Sequence, residues 1–185
     1  MPAWLTTAIA GAIGTAVATY FQDRSWHHQQ RERKKESENK LATEVFEQLS
    51  RAMDQRIYTM RQVHWYITEE YSEADIEGIW EEYRQILFQW NGNLNRTLSM
   101  VERYFGHKNT GLLEKELQPR FRELHILLRG YYHHADERED FDHKAYRDLA
   151  DEISEEIRIL NLNMIGHLQK GTVGVFNPDV PDSGS

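Results

Sequence analysis

Apolar residues recur at steps of three and four along four long stretches of the chain, the spacing that gathers them on one face of an α-helix. The first stripe is Leu41, Val45, Leu49, Met53, Ile57, Met60, Ile67 and Tyr71, with His64 in the same register. The second is Ile76, Trp80, Tyr83, Leu87, Trp90, Leu94, Leu98, Val101 and Phe105. It opens on Ser72-Glu73-Ala74-Asp75, an N-cap with an acidic N3 partner, and closes on Gly106. Asn91-Gly92-Asn93 predicts a kink within it. Leu113, Leu117, Phe121, Leu124, Leu128 and Tyr131 form the third stripe, where Pro119 marks a bend or a fresh start. The fourth, Tyr146, Leu149, Ile153, Ile157, Leu160, Met164 and Leu168, is stopped by Gly171. Only Thr172–Phe176 shows the two-residue alternation of a strand. The expected fold is all-α: a single N-terminal transmembrane helix, then an antiparallel up-down bundle of about four long helices over residues 41–171. Residues 172–185, with two prolines and a Ser-Gly-Ser end, are expected to be a flexible tail.

The transmembrane expectation rests on Ala3–Phe21, which carries no charged side chain in a protein of mean hydropathy −0.74. As a helix it spans about 28 Å, close to the hydrocarbon thickness of a bilayer. Leu5, Ile9, Ile13, Val17 and Phe21 form a single stripe, while the rest is small or hydroxylated. Thr7, Ala10, Gly11, Gly14, Thr15 and Ala18 fall on rows that let helix backbones approach closely, so a homo-oligomer packed through residues 1–22 is expected beside a plain single-pass anchor. The stretch lacks the basic polar face of a surface helix, and no positive charge precedes Trp4 as in a signal peptide, although Ala16-Val17-Ala18 has the form of a cleavage site.

Residues 23–40 are a polar, basic juxtamembrane stalk. Its Arg24, Arg31, Arg33, Lys34 and Lys35 can touch anionic lipid headgroups or simply be solvated. Positive charge stays on the cytoplasmic side, so the N-terminus is expected outside the cell (inner) membrane and the body in the cytoplasm.

Charge and composition then narrow the chemistry. Residues 41–185 hold 26 acidic against 16 basic side chains, a net −10, which argues against duplex DNA as a partner. The absence of cysteine excludes thiol nucleophiles and thiolate metal sites. None of the nine histidines has a Glu three residues before it, which excludes the paired Glu-x-x-His of di-iron bundles. No phosphate-cradling glycine loop or Gly-x-Ser-x-Gly elbow occurs. No metal and no cofactor are expected. His133, His134, Asp136, Glu137, Asp140, Asp142 and His143 gather metal-ligand types in one polar segment, a composition that interhelical loops also have.

Two constellations remain. Helical ribonucleases of the HEPN class pair an Arg with a His four to six residues later, and Arg120–His125, Arg129–His134 and Arg138–His143 have that spacing. The polar residue this class tends to place after the Arg is here Phe121, Gly130 and Glu139, so only the last complies. Separately, Arg122, His125, Arg129 and His133 make a basic ridge turned away from the Phe121–Leu124–Leu128 stripe. It is the candidate contact surface for an anion or RNA ligand; the alternative is a solvated face neutralised by acids such as Glu152, Glu155 and Glu156. Trp65, Trp80 and Trp90 lie on or beside the stripes and are expected in the core.

The layout of uncharged segment, basic stalk and acidic helical body resembles the pore-forming accessory proteins of one class of CRISPR systems, in which a membrane helix precedes a divergent HEPN-like bundle. That likeness of architecture implies a non-enzymatic, homo-oligomeric effector that forms or gates a membrane pore in bacterial antiviral stress, with a protein partner or RNA as trigger. A membrane-tethered ribonuclease using Arg129 and His134 or Arg120 and His125 is the alternative expectation.

Overall fold

A computed structural model describes residues 24–133 and 141–179 in full, and for residues 3–23 the backbone alone. Five α-helices are present among them: α1 (Ala3–Thr68), α2 (Glu73–Phe105), α3 (His107–Gly111), α4 (Gln118–His133) and α5 (His143–Lys170). The chain divides into two compact units, residues 1–38 and 39–185. The first is helical from Ala3 onward.

The helix ends of the second unit follow from local chemistry. Ser72 caps α2 by accepting from the Asp75 amide, and Asp142 caps α5 by accepting from Ala145. Gly171 ends α5 with φ +62, and its amide and that of Thr172 return to Leu168 and His167. That is the paired hydrogen bonding of a Schellman motif. The end of α1 has the same pattern: Glu70 bonds to Ile67 and Tyr71 to Tyr66, with Glu70 at φ +53. No glycine announces this stop.

Between α3 and α4 the backbone stays helical but widens to a π turn over Leu112–Leu117. Proline 119 lacks the amide that would close the next α-turn, and Gln118 reaches back five residues to Leu113 instead. The expected bend at Pro119 is thus a local change of register within a continuous arm. Asn91-Gly92-Asn93, expected to kink α2, is helical throughout.

Four arms are therefore packed together: α1 from residue 39 onward, α2, the α3–α4 arm, and α5. Ser50–Asn161, Arg61–Ala150 and His64–His143 pair α1 with α5 in antiparallel register. Trp80–Tyr132, Tyr83–His125 and Trp90–Gln118 do the same for α2 and α4. Arg56–Phe121 and His64–Tyr131 set α1 and α4 parallel across the centre. This is an up-down helical bundle.

All four predicted stripes supply its core, with Met53, Met60, Tyr83, Phe105, Phe121, Leu124, Tyr146 and Leu160 fully buried. The ends of the first stripe differ, for Leu41 and Tyr71 are exposed. Trp80 and Trp90 are buried as expected, but Trp65 is half-exposed and leans on Tyr66 and Tyr71.

Residues 172–179 of the expected flexible tail are described, and they pack on the bundle; the rest of it lies outside the described residues. A 3₁₀ turn, Gly174–Phe176, follows Val173, which is wholly buried, and Asn177 is buried beside the Tyr104 carbonyl. A glycine distant in sequence makes room: at Gly106, φ +82, a Cβ would stand 3.1 Å and 3.4 Å from the side chains of Asp179 and Asn177. Thr172–Phe176 is not a strand.

Among the described residues no helix is long and apolar enough to cross a membrane. The side chains of the expected anchor, residues 1–22, with its packing positions Thr7, Ala10, Gly11, Gly14, Thr15 and Ala18, lie outside the described residues. Arg24, Arg31, Arg33 and Lys34 are exposed and Lys35 is half-exposed, all on α1.

Candidate functional site

The basic ridge exists as a row along α4, but its members differ. Arg122, Arg129 and His133 are exposed, whereas His125 is half-buried against α2. The acids expected to neutralise it are engaged elsewhere. Glu152 and Glu156 both pair with Arg120, and Glu155 chelates Arg158 on its own helix.

Behind the ridge lies a residue that the sequence pattern did not single out. Arg56 on α1 is only 3% exposed, and its guanidinium lies 4.3 Å from the Phe121 ring centre and 5.3 Å from that of Trp90. Cation–π contact with two rings stabilises it, and among the described residues no carboxylate is paired with it. Burial lowers its pKa to about 10, so it stays charged at neutral pH. Its Nε and Nη1 atoms have no hydrogen-bond partner.

The charge of Arg56 acts on the Tyr83 side chain, whose hydroxyl sits 2.8 Å from Nδ1 of His125. One hydrogen bond joins the Tyr83 hydroxyl to the imidazole and ties His125 to α2. Burial is the main cause that lowers the His125 pKa, followed by the charges of Arg56 and Arg129, and keeps the ring neutral. Burial also pushes the Tyr83 phenol up to about 12, so it remains protonated.

These residues border an open cleft of about 660 Å³. Arg56, Gln118, Arg122 and His125 supply its polar wall, and Leu87 and Ile126 part of its apolar wall. Gln118 accepts from the Trp90 indole at 3.2 Å, which leaves its buried Nε2 without a partner. Two carboxylates, Glu114 and Glu123, also line the cleft, and both are exposed. The chemistry on offer is hydrogen-bond donation and positive charge, with no activated nucleophile among these side chains.

The Arg–His pairs fare differently. Arg120 turns to Glu152 and Glu156 on α5, while His125 turns to Tyr83 on α2, so the bundle does not bring Arg120 and His125 together. His134 and Arg138 lie outside the described residues, and with them the Arg129–His134 and Arg138–His143 pairs and most of the candidate metal segment. His143 instead meets His64, Nδ1 to Nε2, at 3.0 Å. Among the described residues no three His, Asp or Glu side chains form a metal-sized group.

Compared with family models, with curated proteins and with solved structures, the chain matches none.

Proposed function

We propose that this protein is a membrane-anchored, homo-oligomeric helical interaction protein rather than an enzyme. The carrying observation is the uncharged stretch Ala3–Phe21, which opens a helix that continues through a basic segment into a domain with its own core. Small residues on two rows of that stretch suit helix–helix association in lipid, and a ring of such helices is the arrangement from which a pore is built. The exposed arginines that follow suit an anionic leaflet. The divergence of Arg120 and His125 supports a binding rather than a nuclease role for α4.

In this reading the exposed ridge of Arg122, Arg129 and His133 is where a protein partner or RNA reports to the membrane segment, and antiviral defence is the setting the architecture suggests. The test compares the full chain with a variant lacking residues 1–22. The full chain should sediment with membranes and, in detergent, run as a multimer; the shortened one should leave the membrane and lose subunits. A soluble full chain, or an unchanged subunit number, would overturn the proposal. Substituting His125 and His134 together tests the ribonuclease alternative, which uses Arg129 and His134 or Arg120 and His125. RNA cleavage that disappears while helicity and assembly persist would favour that alternative.

A further inference from the structure

We propose that the cleft between α1, α2 and α4 is a binding site for a small phosphate monoester with an apolar or planar body, gripped by Arg56, Gln118 and His125. The inference goes beyond the anchored-interaction reading and stands without it.

Three observations carry it. Arg56 is 3% exposed, and burying a cation is costly unless it is paired and hydrogen-bonded, a cost that contact with two aromatic rings offsets only in part. Its Nε and Nη1 atoms and the Gln118 Nε2 are buried donors without acceptors, on two residues that line the same cleft. Such groups cost free energy until something accepts from them. The hydrogen bond to Tyr83 then holds the His125 ring at the cleft, and the exposed Arg122 adds a second cation on the same wall.

The donors point to one ligand class. Arg56, Gln118, His125 and Arg122 offer more donors than the two oxygens of a carboxylate take up, which suits the three terminal oxygens of a phosphate monoester. Leu87, Pro119 and Ile126 offer an apolar surface beside them for the rest of the ligand. Glu114 and Glu123 repel an anion, but both stand in water, where screening weakens them far more than it weakens a buried guanidinium.

The experiment is calorimetric titration of the full chain in detergent with adenosine monophosphate, inorganic phosphate and, separately, vesicles containing phosphatidate. Saturable binding of the nucleotide or of phosphatidate is expected, and which of the two binds tells a soluble ligand from a lipid headgroup. Arg56→Met should weaken that binding about 10- to 100-fold, the loss of a charge-assisted donor pair, while the far-ultraviolet helix signal is kept. Arg122→Ala, on the exposed wall, should weaken it less. If Arg56→Met does not fold, Arg56→Lys and Gln118→Glu take its place; the first should weaken binding and the second should abolish it by setting a carboxylate among the donors. No saturable binding by any of the three probes, or undiminished binding by folded Arg56 and Gln118 variants, would overturn the proposal.

Discussion

At the scale of single residues, the bundle resolves its buried polar groups in three ways. Tyr146 is satisfied outright: its hydroxyl donates to the Met60 carbonyl at 2.8 Å, and Tyr146→Phe should cost about 1 kcal/mol in denaturant unfolding, the loss of one buried hydrogen bond. Arg56 is left partly unsatisfied at a cleft. His64 is kept neutral. It stacks on Tyr146 at 4.4 Å, faces Tyr131 and Phe141, and meets His143, and its pKa falls from 6.5 to about 4 through burial first and then the nearby His143 and Arg147 charges. The unfolded chain takes up this proton near pH 6.5 and the folded one resists it down to about pH 4. Stability from His64 is therefore complete above pH 6.5 and is lost progressively as pH falls through that window, by at most about 3 kcal/mol. Unfolding free energies measured between pH 7 and pH 4 should fall, and His64→Gln should flatten much of that slope. An unchanged slope in the variant would show that other groups govern the acid limb.

At the scale of elements, legibility in the sequence depended on whether a signal was local. The apolar stripes, the Ser72 cap and the Gly106 and Gly171 stops are each written in a few adjacent residues, and the structure uses all of them. The end of α1 was not legible, because Glu70 holds a left-handed conformation that any reader would assign to glycine. Glu70→Gly should therefore stabilise the bundle by about 0.5–1 kcal/mol, whereas Gly171→Ala should destabilise it by about 1 kcal/mol, both read as shifts in denaturation midpoint. The packed tail was hidden for another reason: Val173 and Asn177 dock on residues far away in sequence, and proline content alone suggested a loose end. Gly106→Ala should cost about 1–3 kcal/mol by straining φ and pushing on Asp179, and limited proteolysis should then cut sooner around residue 174. The site was half legible. The α4 ridge showed as periodic charge, but Arg56 sits among apolar neighbours in a helix whose stripe passes on either side of it, and only the third dimension shows the aromatic rings and unpaired donors around it.

At the scale of the whole molecule, the two units pose different physical problems. Residues 39–185 bury a continuous core of aliphatic and aromatic side chains from every arm, and they hold nearly all of the acidic charge. A unit with its own core should fold alone, so residues 39–185 produced without the first 38 should melt in one cooperative transition. Residues 3–21 have no comparable set of large apolar residues, and their small side chains give a lone helix little to gain from lipid. In the proposed reading such a helix is best satisfied against copies of itself, where Gly11 and Gly14 allow backbones to close up. Gly11→Arg in the full chain places a cation where a neighbouring helix and the hydrocarbon should both exclude it, at a cost of about 2.5 kcal/mol or more per copy. The consequence should be confined to assembly: membrane-bound multimers lost in cross-linking and sedimentation, with the melting of the 39–185 unit unchanged. If that variant still assembles like the original chain, the contacts that join the copies belong to the bundle, and the exposed apolar residues Phe88 and Leu162 become the next surfaces to substitute.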